Sequence, residues 1–157
     1  MTESKNRMFL LDSLELAYSQ GISADVCCID ITPGRPSLIE LALVAFLEAG
    51  PAGLRQEQVY PPVGRKLSTG DTYTTGNLRN QVCELRKKDI RIIGWIDPYQ
   101  SRDGRVTYYK RYAFAGSWVA LRAALMINQY RRARGAPRIP FYQVLRFFLS
   151  FPSDGKE

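Results

Sequence analysis

Residues 67–114 carry the most restrictive pattern in this chain: a short amphipathic helix followed at once by two β-forming runs around a polar turn. Leu78, Val82 and Leu85 recur at the i, i+4, i+7 spacing of one helix face. Stepping round that helix from Leu78 sets Tyr73, Gly76, Asn80 and Lys87 on the opposite, polar face. The basic run Arg86, Lys87, Lys88 closes the helix and also suits the negative end of its dipole. Asp89 stops it. In residues 90–96, Arg91, Ile93 and Trp95 alternate with Ile90, Ile92 and Ile96, and residues 105–114 are rich in β-formers (Val106, Thr107, Tyr108, Tyr109, Tyr112, Phe114). Between them, Asp97-Pro98 and Asp103-Gly104 are turn dipeptides, which predicts a hairpin with its turn over residues 97–104.

Helix, short connection and hairpin with a basic polar tip is the order of a winged helix-turn-helix. Over about residues 37–114 the chain resembles the winged helices of phage and plasmid DNA-binding proteins, with residues 79–92 reading like a recognition helix and the strand after it. The resemblance implies an α+β, mostly helical fold, a winged helix-turn-helix with N-terminal and C-terminal helical extensions. It also implies sequence-specific binding of double-stranded DNA, as in a transcriptional regulator of mobile-element type, with residues 74–88 in the major groove. A replication or partition protein would use the same fold.

The flanking sequence supplies the extensions. A first helix is expected over residues 5–20, on the stripe Met8, Leu11, Leu14 and Tyr18, ended by Gly21. Residues 23–31 read either as a short strand or as a buried extended segment, and residues 1–36 together as an N-terminal extension. Ser37 and Glu40 have the capping-box spacing and open an almost wholly apolar helix over residues 38–49, the first of a domain spanning 37–114. A second, short helix is expected over residues 54–59. The link over 61–71 is longer than a tight helix-turn-helix turn and carries Arg65, Lys66 and Ser68, suited to phosphate contact. The C-terminal segment, 115–157, predicts a long helix to about residue 134 and a last helix over 140–150 bearing Phe141, Val144, Leu145, Phe148 and Leu149. Two outcomes compete for that apolar area: homodimerisation through the C-terminal helices, or packing back on the N-terminal helix of the same chain.

Composition narrows the chemistry. At 157 residues, 45% hydrophobic, the chain can bury one good core, and no apolar run approaches the roughly 20 residues that span a bilayer. Without a signal-like N-terminus, a cytoplasmic protein is expected. The total absence of histidine removes His-based acid–base chemistry and the usual zinc sets, and Cys27, Cys28 and Cys83 do not have the spacing of a metal site. Carboxylates such as Glu40, Glu48, Glu84, Asp97 and Asp103 are scattered without a recognisable pair, and no P-loop is present, so neither enzymatic activity nor a cofactor or metal is expected.

A net charge of +7, from 22 basic and 15 acidic residues, favours a polyanionic partner. Reading DNA needs cations for phosphates and amide or guanidinium groups for base edges. Asn77, Asn80 and Gln81 are the candidates for base contact, flanked by Arg79 and Lys87. Tyr73, Thr74 and Thr75 are placed to donate to phosphate near the helix N-terminus, and Gln100, Ser101, Arg102 and Arg105 form the basic wing turn. Lys110 and Arg111 stand between contact and surface. Arg131, Arg132 and Arg134, near Arg122 and Arg138, form a second basic cluster, read as a positive helix C-terminus in preference to a phosphate contact. The competing reading is a protein-interaction module that binds through Tyr108, Tyr109, Tyr112 and the C-terminal phenylalanines.

Overall fold

A computed structural model describes residues 34–56, 64–74 and 78–153; the expected helix over 5–20 and the segment 23–31 lie outside these. The first helix, α1 (Leu38–Ala49), begins where Ser37, in extended conformation, accepts the Glu40 amide on its Oγ at 3.1 Å. The reciprocal half of the capping box is replaced, because the Glu40 side chain turns inward to Arg134 (Nε–Oε2 3.0 Å, Nη2–Oε1 2.8 Å). Ala42, Leu43, Val44, Ala45, Phe46 and Leu47 are all buried, as a helix apolar all round requires. Full burial stabilises a Val, Leu or Phe side chain by roughly 1.5–3 kcal/mol. A single 3₁₀ turn (Gly50–Ala52) ends the helix.

The chain then departs from the expected second helix. Leu54 and Arg55 form a strand, β1 (Leu54–Arg55), and the long link forms a hairpin of β2 (Gly64–Lys66) and β3 (Thr72–Thr74). A helix of a few residues cannot offset its own nucleation, whereas Leu54 is buried by pairing with a distant strand. Gly53 enables that approach. Its φ is +70°, and a Cβ there would sit 2.4 Å from the Tyr112 carbonyl oxygen. The β2–β3 turn docks on α1, the Glu48 carboxylate accepting both the Ser68 amide and the Ser68 hydroxyl.

The helix α2 (Leu78–Lys87) buries Leu78, Val82 and Leu85, as their spacing predicts. It stops in a Schellman motif: Asp89 takes φ +58°, its amide donates to the Arg86 carbonyl at 3.1 Å, and the Ile90 amide donates to Leu85 at 3.1 Å. The predicted hairpin follows as β4 (Ile92–Gln100) and β5 (Val106–Phe114), registered from Ile92↔Phe114 to Gln100↔Val106. Its turn is tighter than the expected 97–104. Asp97 and Pro98 belong to β4, and the reversal is made by Ser101–Arg105, with Gly104 at φ +79°. Asp97 is held in the sheet by Arg111, whose Nε and Nη2 both donate to Oδ2 (2.9 and 2.6 Å) and whose Nη1 also donates to the Ala52 and Gly53 carbonyls. The three-stranded antiparallel sheet has the order β1-β5-β4.

Two further helices, α3 (Ser117–Ala133) and α4 (Phe141–Ser150), close the core. The described residues give an α+β architecture of four helices with small antiparallel sheets, and one cluster runs through all of it. Phe114 at the end of β5 stacks between Phe46 of α1 (5.1 Å) and Phe151 after α4 (5.9 Å). Part of the C-terminal apolar surface is used within the chain, with Val144, Phe147 and Phe151 buried. Tyr142 and Leu149 stay exposed. Among the described residues no helix is long and apolar enough to cross a membrane.

Candidate nucleic-acid interface

The α2 surface left uncovered by the core carries two stripes. Asn80, Glu84 and Lys87 form one at i, i+4, i+7, and Lys87 pairs with Glu84 at 2.8 Å. Hydrogen bonding to Lys87 holds the Glu84 carboxyl below its ordinary range and raises the Lys87 ammonium. Both groups are exposed, so the pair is weak. The second stripe is Arg79, Cys83 and Arg86. It faces β4, where the Arg86 guanidinium donates to the Ile92 carbonyl at 2.8 Å.

Between this second stripe and the hairpin lies a recess of about 350 Å³, lined by Arg79, Cys83 and Arg86 from α2 and by Gly94, Ile96 and Lys110 from the strands. None of its lining residues is acidic. Its floor is possible because residue 94 is glycine: a Cβ there would meet the Tyr112 ring at 2.9 and 3.0 Å. At the far end of the hairpin, Arg102, Arg105 and Gln100 are exposed. Ser101 is half-buried and its Oγ accepts the Asp103 amide at 3.3 Å, a bond that supports the turn. On the other face of the sheet, the Arg55 guanidinium lies 4.8 and 5.2 Å from the ring centres of Tyr99 and Tyr109.

Two of the residues expected to touch DNA are corrected. Tyr73 lies in β3, not on an extension of α2, and strand alternation turns it inward to 1% exposure while Thr72 and Thr74 face out. Its hydroxyl donates to the Gln81 Oε1, and Gln81 is itself 7% exposed, so neither side chain reaches a ligand. Burial pushes the Tyr73 phenol well above its ordinary value. Arg79, Asn80, Lys87, Gln100, Arg102 and Arg105 are all exposed, as is Thr74; Thr75 and Asn77 lie outside the described residues.

No family model, no curated protein and no solved structure matches this chain.

The structure adds Arg86, Lys110 and Gly94 to the candidates. The acid-free i, i+4, i+7 series Arg79, Cys83, Arg86 was readable as a second helix stripe, and Lys110 alternates with Tyr108 and Tyr112 toward the same sheet face. The other basic groups separate in role. Lys110 opens on the recess, whereas Arg111 is engaged with Asp97. Arg131 and Arg134 converge on buried Glu40, at 3.4 and 2.8 Å, and Arg131 also donates to the Pro137 carbonyl. These two arginines hold α1 to the end of α3, a role beyond complementing the helix dipole.

Proposed function

We propose that this chain binds double-stranded DNA with sequence preference, α2 lying in the major groove and the β4–β5 hairpin serving as the wing. The observation that carries the reading is the acid-free cationic surface running from Arg79 and Arg86 across the recess to Lys110, beside the exposed amide of Asn80. Helix α2 preceding β4 in a sheet of order β1-β5-β4 supports a winged arrangement, with β1 standing where the second helix is expected to begin and the β2–β3 hairpin in place of the link that follows it. In this reading Asn80 pairs with a base edge, and Arg102 and Arg105 at the hairpin tip meet phosphate or the minor groove.

Fluorescence anisotropy of a labelled duplex across a salt series tests it. Five cations (Arg79, Arg86, Lys110, Arg102, Arg105) give an expected log–log slope of about −4.5, from about −0.9 per phosphate. Selection from a random duplex pool should enrich one site. A slope near zero, or no enrichment, refutes the reading. One observation favours a protein partner instead: Ile93, Ile96, Val106 and Tyr108 on the hairpin are 45–68% exposed. Salt-insensitive binding to a protein, with none to duplexes, selects that alternative.

A further inference from the structure

The outer edge of the sheet holds a feature the DNA reading above does not use. In an antiparallel ladder, hydrogen-bonded and non-bonded residue pairs alternate. The Ala115 amide donates to the Arg91 carbonyl at 3.0 Å and the Ser101 amide to the Arg105 carbonyl at 2.8 Å, which fixes the phase of β4 against β5. Residues 93, 95, 97 and 99 thus direct their main-chain groups to β5, and residues 92, 94, 96, 98 and 100 direct theirs to the open side, since β4 is an edge strand.

Part of that edge is closed. The Ile92 carbonyl is taken by Arg86, and Pro98 stands at an outward position, where its missing N–H removes a donor. What stays open between them is the N–H and the C=O of Gly94 and of Ile96; neither N–H has an acceptor among the described residues, and each lies beside an outward carbonyl of the same strand. These two residues line the recess with Arg79, Arg86 and Lys110. Strand geometry sets the two N–H groups about 6.8 Å apart, comparable with the separation of successive phosphates along one DNA strand.

We propose that the β4 edge between Ile92 and Pro98 is a phosphodiester track: one DNA strand's backbone runs through the recess, accepting from the Gly94 and Ile96 amides while Arg79, Arg86 and Lys110 neutralise its charge. An unpaired edge also invites another β-strand. The surrounding three cations and the lack of any acidic lining residue favour the polyanion. The inference rests on the DNA-binding reading and is separable from it.

Cys83 is exposed within the recess wall and reports occupancy without any substitution. Alkylation of Cys83, followed by peptide mass spectrometry on the full chain, should slow at least tenfold when duplex is saturating, and should not slow with polyglutamate. Ile96→Pro removes one outward donor and, by the loss of a bond to a charged acceptor, should weaken specific and random duplexes alike by roughly tenfold. Its salt slope should be unchanged. Arg79→Ala and Lys110→Ala should each reduce the slope by about 0.9. Full Cys83 reactivity while anisotropy shows the duplex bound overturns the track and leaves DNA binding standing. So does protection by polyglutamate but not by duplex, or unaltered binding by Lys110→Ala and by folded Ile96→Pro. Absence of duplex binding by the unsubstituted protein removes both proposals together.

Discussion

The Glu40–Arg134 pair gives the sharpest test of how this fold is held together. Glu40 is 2% exposed, and its two oxygens receive the Arg134 guanidinium at 2.8 and 3.0 Å while Arg131 stands at 3.4 Å. Replacing Arg134 by Met leaves a buried carboxylate facing Arg131 alone. Removing one partner of a buried pair costs about 3–5 kcal/mol, and the surviving Arg131 sets the expectation at the lower end, about 3 kcal/mol. For a chain of this size that lowers the thermal midpoint by roughly 6–12 °C, measured by circular dichroism. The double substitution Glu40→Leu, Arg134→Met removes the stranded charge and should recover more than half of the loss. High salt should change little, because a pair this buried is poorly screened. The salt slope of DNA binding should match that of the unsubstituted protein, since Arg134 serves α1 and not a phosphate. A loss below about 1 kcal/mol for the single variant, or a double variant no more stable than the single, refutes the coupling.

Further expectations follow from the same geometry. Asn80→Ala should relax preference at one base position by roughly 1–3 kcal/mol in competition binding, and equal losses on selected and random duplexes would contradict its reading role. Arg102→Ala should weaken all duplexes alike and lower the magnitude of the salt slope by about 0.9. The buried Tyr73 phenol is raised above its ordinary value of 10.0, so its contribution to stability is complete below that pH and is lost as pH rises past it. Tyr73→Phe should flatten part of the alkaline fall in urea midpoint, and should cost about 1–3 kcal/mol at neutral pH by stranding Gln81. Gly53→Ala should cost about 1–3 kcal/mol from backbone strain alone, with a further loss from its clash against Tyr112, read as a lower unfolding midpoint.

Much of the element order is local chemistry and was open to inspection in the residues themselves. Ser37 marks the start of α1, the Leu78, Val82, Leu85 series defines the buried face of α2, and the tyrosine-rich run after Gly104 makes β5. The misread elements share a cause. Leu54 and Arg55 are strand because Tyr112 and Arg111, far along the chain, supply their pairing partners. Helical stepping from Leu78 places Tyr73 on the polar face, but Tyr73 belongs to β3, and the alternation of that strand turns it inward.

The residue pattern alone determined helices α1 to α4, the hairpin after α2 and the excess of positive charge, because periodicity, stop signals and charge are carried by neighbouring residues. Tertiary packing alone decided which cations are free. Arg111, Arg131 and Arg134 are taken by carboxylates drawn from other elements, while Arg79 and Lys110 open on a recess that exists only once α2 packs beside the β4–β5 hairpin. A cation's role depends on which acceptor comes within reach, and that is settled when distant segments pack.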